Sequence, residues 1–344
     1  MNRSFFVLLP LVAALAACGG GGDSDPGPGG PSGGDPLPPV FQSSTLVTSV
    51  PAPSYAAGSE YLSAFNLLNE QRGLCGFGLL RHSTHLDTAS QGHADWLLIH
   101  GFSGHYQDPE LPRGFTGVTE LERISAAGYA PRFEFSSGEG IAAQLGGVPA
   151  GASKDLRALF NAPYHAMNLL RGYRDIGLAA RTSADVHEPR LSNQSVTVFK
   201  PAHRSTDGPQ LMSSDDVMTY PCEGATGVDP TLYGETPSPV PDRNLRTQPL
   251  GSSVMIMARP GRDLVITSAT MTRLSDGSAV VMRTPTTQGN DPNRLLGGNE
   301  AFVSADAAMQ ANTSYQAVIT GSNNGKPFTR TFTFTTGTST GTGQ

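Results

Sequence analysis

The spacing of apolar residues changes near Ser205, and this change limits the folds open to the chain. Upstream, Tyr61, Phe65 and Leu68 recur at helical spacing, and a second helical stripe includes Leu86, Ala94 and Leu97. Downstream, short alternating runs are separated by Pro, Gly, Asp and Thr, which is typical of strands and turns. The sequence therefore predicts an α+β chain, with helices around a sheet followed by an all-β part.

Helix signals in the first part place its elements. Gly73 is expected to end the first helix, Thr84 and Asp87 form a predicted capping box for the second, and Gly101 is expected to end it. Ser153 is expected to cap a further helix that ends at Pro163. Short runs bounded by Gly, Pro or Asn predict a middle layer of strands at 138–145, 174–181 and 195–200.

The part from 215 to 336 is predicted to form an antiparallel sandwich. Turns are expected at 276–277 (Asp-Gly) and 324–325 (Asn-Gly). The expected strands are 264–267, 269–274, 279–283, 314–320 and 328–335. The last strand resembles the end of bacterial immunoglobulin-like modules, although no Cys or Trp pair supports an antibody-type core. Residues 236–241 are expected to be semi-rigid, and the tail 337–344 disordered.

The N-terminus has the pattern of a lipoprotein signal peptide over 1–17. Arg3 supplies the positive charge, an apolar stretch follows, and Leu-Ala-Ala-Cys at 15–18 matches a bacterial lipobox. This implies a lipid on Cys18 and an extracytoplasmic protein anchored to the cell membrane or the outer membrane, so the membrane is an expected partner. The alternative is a plain secretory signal. Residues 18–50, rich in Gly and Pro, are predicted to be a disordered tether.

Cys75 and Cys222 remain once Cys18 is assigned to lipid. In an oxidising compartment two such thiols favour a disulfide, and two buried free thiols are the alternative. The net charge of -6 and the absence of a basic cluster exclude nucleic acid as a partner.

Three stretches each place a His or Glu beside small residues: 101–105 (Gly-Phe-Ser-Gly-His), 137–142 (Ser-Gly-Glu-Gly-Ile-Ala) and 161–168 (Asn-Ala-Pro-Tyr-His-Ala-Met-Asn). With 67–72, 126–129 and 175–178, they resemble the CAP superfamily of cysteine-rich secretory, antigen 5 and pathogenesis-related domains over 55–203. The resemblance implies an α-β-α sandwich with a cleft lined by His105, Glu139 and His165.

The chain departs from the bacterial pattern beside each of these residues, but none of the three is replaced. The second glutamate of many eukaryotic members would fall near Ala162, which cannot ligate a metal or titrate, and Glu122 is a candidate substitute. Asn168 lies one helical turn from His165 and is assigned to the same cleft, where a structural hydrogen bond is its favoured role. His93 is expected to pack at the edge of the core.

Two imidazoles and a carboxylate in one cleft have three uses. They could bind a divalent metal such as Zn²⁺ through His105, His165 and Glu139. They could hydrolyse a substrate, although no nucleophile motif is present. They could recognise a ligand through hydrogen bonds. The resemblance favours recognition of a peptide, glycan or lipid, without an assigned catalytic residue, and the alternative is a metal-dependent, protease-like hydrolase.

Overall fold

The computed structural model describes residues 41–132, 134–145, 151–187 and 194–340. The expected signal peptide (1–17), the lipidation site Cys18, most of the tether and residues 341–344 lie outside these described residues.

The helices all precede the β-rich part of the chain. α1 begins after Ser59, whose side chain accepts a hydrogen bond from Leu62 N at 3.1 Å, and it runs one residue past the expected end at Gly73. Among the described residues the helices are α1 (Glu60–Leu74), α2 (Thr84–His100), α3 (Glu120–Ala126), α4 (Ala152–Asn161) and α5 (Pro163–Leu170).

Helix α2 ends as expected but begins differently. Gly101 caps its C-terminus in the left-handed conformation, with φ of 69°. The predicted capping box is wrong, because Ser83 is the N-cap and makes no side-chain cap bond. Asp87 instead accepts hydrogen bonds from His82 Nε2 and Tyr55 Oη, both at 2.6 Å. Its carboxylate therefore ties α2 to the segment before α1.

The expected middle layer is a sheet in the order β1-β4-β5-β2, with β3 also paired to β5. β5 is the centre of this sheet, antiparallel to β2, β3 and β4. Gly177 of β4 faces the backbone at the start of α2 so closely that a Cβ would overlap it. The strands are β1 (Arg81–His82), β2 (Phe135–Ser137), β3 (Gly140–Leu145), β4 (Asp175–Thr182) and β5 (Gln194–Arg204).

The region around Pro163 corrects one boundary. Gly151, not Ser153, is the N-cap of α4. Pro163 does more than end that helix, because it occupies the first turn of α5, where its missing N–H has no cost. His165 and Asn168 therefore lie on α5, a helix separate from α4.

Two sheets make up the β-rich part, in the orders β10-β9-β13-β14-β7 and β11-β12-β8-β6. The turns at 276–277 and 324–325 are confirmed, with positive φ at Gly277, Asn324 and Gly325. Five of the described strands of this part had not been predicted: β6, β7, β8, β11 and β12. The strands are β6 (Val217–Tyr220), β7 (Thr226–Val228), β8 (Ser253–Ala258), β9 (Leu264–Arg273), β10 (Ala279–Val280), β11 (Thr286–Thr287), β12 (Glu300–Ser304), β13 (Ser314–Asn323) and β14 (Lys326–Thr336).

We call α1 to β5 the helical half and β6 to β14 the β-rich half. The two halves share a hydrophobic core, in which Phe160 stacks on Tyr220 with ring centroids 4.6 Å apart and Tyr164 meets Phe302 edge-on at 5.7 Å. The predicted disulfide between Cys75 and Cys222 is confirmed and joins the halves across 147 residues of sequence. Residues from Phe41 onward accordingly form one compact unit. The chain is a mixed α+β protein.

Both ends of the described chain are more ordered than expected. In the expected tether, Thr45 N donates to Leu211 O at 2.8 Å, and Val47 O accepts from Leu79 N at 2.8 Å. In the expected tail, Thr340 is buried and its backbone N–H donates to Asp229 Oδ2 at 3.0 Å. Backbone hydrogen bonding to the body of the protein therefore outweighs the polar composition of these segments.

Candidate functional site

His105 lies on the loop that follows α2. Gly104, with φ of 117°, gives this loop a backbone conformation that residues with a Cβ rarely adopt. His105 Nδ1 donates to Glu139 Oε1 at 2.9 Å, and its side chain is 45% exposed. Its backbone carbonyl accepts a hydrogen bond from Arg123 Nη2 at 3.0 Å. The ring is therefore held from the protein side while its outer edge stays accessible.

Glu139 lies between β2 and β3, with its carboxylate buried among cations. Arg123 of α3 donates to both carboxylate oxygens at 3.1 Å, and Lys200 of β5 pairs with Oε2. All three side chains are fully or almost fully buried. The carboxylate is thus the centre of a buried ion-pair cluster that joins α3, β5 and the His105 loop.

The cluster keeps Glu139 ionised. Burial alone would raise its pKa, but the Lys200 ammonium, the hydrogen bond from His105 and the charge of Arg123 hold it well below its usual value. A carboxylate so held is a weak proton acceptor at neutral pH. Its role here is to fix the orientation of His105.

His93 is more central than the core-edge position expected of it. It is fully buried on α2, with Nε2 donating to Gly104 O at 2.9 Å and lying 3.6 Å from Glu139 Oε1. Gln107 Nε2 donates to its Nδ1 at 3.2 Å. Burial lowers the pKa of His93 to about 3, so the ring is neutral and holds the His105 loop in place.

His165 is held by a second carboxylate, which comes from the β-rich half. Its backbone N–H and its Nδ1 both donate to Glu235 Oε1 at 2.9 Å. The Glu235 side chain is completely buried. Its Oε2 has no hydrogen-bond partner among the residues that the structure describes. The second imidazole therefore has the same arrangement as the first, with Nδ1 bound to a carboxylate.

Asn168 takes the structural role that the sequence favoured and also reaches the site. Its Oδ1 accepts a hydrogen bond from Tyr173 Oη at 3.3 Å. The side chain packs so closely on Gly138 that a Cβ there would overlap it. Glu122, by contrast, completes a capping box with Thr119 at the start of α3 and does not line the cavity described next.

The predicted residues meet at one cavity of about 180 Å³. His105, Glu139, His165 and Asn168, which the sequence analysis assigned to one cleft, all line it. The remaining lining residues come from α5, from the end of that helix and from two loops of the β-rich half: Tyr164, Met167, Arg171, Thr236, Pro237, Leu295 and Leu296. The β-rich half thus forms part of the wall of the cavity.

Contacts across the cavity wall fix the two halves beside it. Arg171 donates to both oxygens of Glu300 at 2.8 Å, and Tyr164 donates to Asp291.

The sequence analysis missed three residues that support the site: Glu235, Arg123 and Lys200. Lys200 had a signal, since a lysine within an apolar buried strand requires a charged partner. Glu235 had none, because it follows β7 in an irregular segment.

The site does not fit the three-ligand metal centre that the sequence analysis gave as one of three possible uses. Glu139 already contacts Arg123 and Lys200, and a third cation beside it would be repelled. Within the described ranges, no group of three or more His, Cys, Asp or Glu side chains is arranged to hold a metal ion.

No protein-family model and no curated protein matches the sequence. Among solved structures, the chain is similar to an outer surface protein from Borrelia burgdorferi, with a TM-score of 0.34 and 17% identity. The match covers 44% of this chain and 96% of that one. Similarity at this level establishes neither a shared fold nor a shared function. None of the helices in the part of the chain described here has the length and apolar character needed to cross a bilayer.

Proposed function

We propose that this chain is an extracytoplasmic CAP-like lipoprotein that binds a peptide, glycan or lipid ligand in the cavity between its halves. In this proposal the lipid on Cys18 attaches the protein to the membrane. The β-rich half, immunoglobulin-like in its predicted sandwich, serves as one wall of the site. The three sequence stretches that suggested the site supply six of the residues that line one cavity, which supports the proposal.

One observation carries the choice of binding. His105 and His165 each commit Nδ1 to a buried carboxylate, at 2.9 Å in both cases. A ring whose Nδ1–H donates in this way keeps Nε2 as a hydrogen-bond acceptor when it is neutral. Two imidazoles oriented by the protein around one cavity are suited to hold a ligand.

The hydrolase alternative has less support. Glu139 is the only carboxylate that lines the cavity in the described structure, and its cationic partners keep its pKa well below the range useful for a general base. The cavity has no serine or cysteine among its described lining residues. A metal-bound water has no three-ligand site among the described residues.

A ligand screen of the purified full chain tests the proposal, using peptides, neutral and charged oligosaccharides, and fatty acids. We expect one class to bind, and His105→Asn to weaken it. The asparagine amide can still donate to Glu139, whereas the outer ring nitrogen is lost. His85→Ala is the matched control, because His85 is exposed and lies outside the cavity. Turnover of peptide, ester or glycan substrates would reject binding as the function.

Membrane attachment is tested separately. We expect Cys18→Ser to release the protein from membranes, and intact-mass analysis of the parent to detect acyl chains. Continued membrane fractionation of the variant, together with an unmodified parent mass, would contradict the anchor.

A further inference from the structure

The charges around the cavity limit the ligand to a neutral molecule. Besides the two histidines, the charged side chains among its described lining residues are Glu139 and Arg171, and both are already paired, the first with Arg123 and Lys200 and the second with Glu300. An ionic ligand would lose its hydration without gaining an unpaired counter-charge. A neutral polar ligand has no such cost.

The hydrogen-bonding groups require several donors from a compact ligand. In their neutral form His105 and His165 each leave Nε2 as an acceptor, and the Thr236 hydroxyl can accept as well. Asn168 uses Oδ1 to accept from Tyr173, which leaves its amide N–H groups as donors. A peptide unit offers one N–H donor and one carbonyl acceptor, whereas neighbouring hydroxyls of a sugar supply two donors within one ring. The cavity therefore favours a sugar over a peptide.

The rest of the cavity is apolar. Met167 and Pro237 line it with Leu295 and Leu296, which are suited to contact a methyl group. A volume of about 180 Å³ is below the roughly 300–1,000 Å³ of sites for drug-sized ligands, so it suits one ring. An acetamido substituent combines a methyl group, a carbonyl acceptor for Asn168 and an N–H donor.

Exposed aromatic residues lie on the same loop as His105. Tyr106 is 71% exposed and Phe102 is 47% exposed, which is unusual for large aromatic side chains. Such rings supply flat apolar surface with a polar edge. They could contact the sugar residues that follow the one in the cavity.

From these observations we infer that the cavity binds one N-acetylhexosamine residue of a neutral oligosaccharide. The inference rests on the proposed function and narrows its ligand from three classes to one. The acetamido group meets the apolar wall, and the ring hydroxyls donate to the two imidazoles.

The probe is a trimer of N-acetylglucosamine, tested on the purified full chain by saturation-transfer NMR and titration. Two trimers control for its chemistry: the deacetylated form, which is cationic, and cellotriose, which is neutral but lacks acetamido groups. We expect the acetylated trimer to bind about tenfold more tightly than either control trimer. The ring in the cavity would lose about one hydrogen bond or one methyl contact in each control, and such a contact corresponds to about tenfold in affinity. Among the protons of the acetylated trimer, the acetamido methyl protons should show the strongest saturation transfer from the protein.

His105→Asn and His165→Asn should each weaken the acetylated trimer about tenfold while keeping the contact with the carboxylate. His85→Ala should leave the affinity unchanged. If a variant fails to fold, the imidazole signals of His105 and His165 in the parent, followed by NMR during the titration, give the same information. Signals that do not move while sugar binds would overturn the inference.

The outcomes separate the inference from the proposed function. Equal binding of the three trimers would reject the N-acetylhexosamine and leave a glycan-binding cavity. Binding of peptides or fatty acids alone would reject any sugar and leave a binding cavity of another kind. Failure of every probe in the screen would reject both.

Discussion

The two imidazoles of the cavity have the same hydrogen bond to a carboxylate but different surroundings behind it. Glu139 is enclosed by Arg123 and Lys200 within the helical half. Glu235 reaches His165 from the β-rich half, and no Arg or Lys forms an ion pair with it in the described ranges. One carboxylate is therefore part of a charge cluster, whereas the other is a contact between halves.

This difference shows that two histidines with the same hydrogen-bond geometry can depend on different structural supports. The His105 side depends on a buried network whose members need one another, so a single change there has consequences beyond the ring. The His165 side depends on the two halves remaining packed. Stability and ligand binding should consequently respond differently to matched changes on the two sides.

The largest difference is expected from the matched substitutions Glu139→Gln and Glu235→Gln. The first leaves Lys200 and Arg123 buried without their counter-charge, and we expect it to lower the free energy of unfolding by about 3–5 kcal/mol. The second keeps an acceptor for His165, and we expect a cost of about 1 kcal/mol. Chemical denaturation of both variants measures the difference.

Lys200→Met controls for the charge explanation. Combined with Glu139→Gln, it removes one of the two uncompensated cations, so the double variant should be more stable than Glu139→Gln alone. Equal losses from the two glutamate changes would show that the ion-pair cluster is not what distinguishes the two sides.

The disulfide between Cys75 and Cys222 provides a test of how far the His165 side depends on the packing of the two halves. Replacing Cys75 and Cys222 with serine should cost about 2–4 kcal/mol, because the bond restricts a long loop in the unfolded chain. In the remaining folded protein we expect the NMR signals of His165 to shift more than those of His105, because only His165 has its carboxylate in the other half. Larger NMR shifts at His105 than at His165 would contradict the idea that only the His165 side depends on the packing of the halves.

His93 gives a pH test of the charge cluster. Its pKa of about 3 lies below the value of about 6.5 for an unfolded histidine. As pH falls below about 6.5, His93 becomes protonated in the unfolded chain, whereas in the folded chain it stays unprotonated until about pH 3. The folded state therefore loses stability over this window, by about 2 kcal/mol between pH 7 and 5.

The variant His93→Gln isolates that effect, since glutamine can donate to Gly104 but does not titrate. Burial raises the pKa of Glu120, which shifts stability in the opposite direction, and subtracting the two pH profiles removes this contribution. We expect the parent to lose stability more steeply with acid than the variant. Parallel profiles would show that the titration of His93 does not contribute to the pH dependence of stability.

The sequence predicted the helical half more completely than the β-rich half for a physical reason. Helical periodicity and a left-handed glycine such as Gly101 are local signals. β8 is buried along its whole length, so it lacks the alternation that reveals a half-exposed strand. β12 is likewise buried throughout, and both were missed.

The site divides in the same way. His105, Glu139 and His165 were assigned to one cleft because their short motifs resemble the CAP pattern, and Asn168 because it lies one helical turn from His165. Glu235 was missed because its function depends on packing between halves, which leaves no local pattern. The capping role given to Asp87 was wrong for a related reason, since a tertiary contact with Tyr55 and His82 replaced the local one.

The smallest effect is expected at a partly exposed ion pair between the halves, Arg171 with Glu300. Arg171 makes two parallel hydrogen bonds to Glu300, but its side chain is 38% exposed, so water screens the pair. Arg171→Lys keeps the charge and loses the parallel geometry, and we expect a cost of about 0.5–1 kcal/mol in chemical denaturation. Because apolar packing and the disulfide also join the halves, this pair should contribute little alone. A loss as large as that of Glu139→Gln would mean that the contact between the halves depends on charge as strongly as the His105 side does.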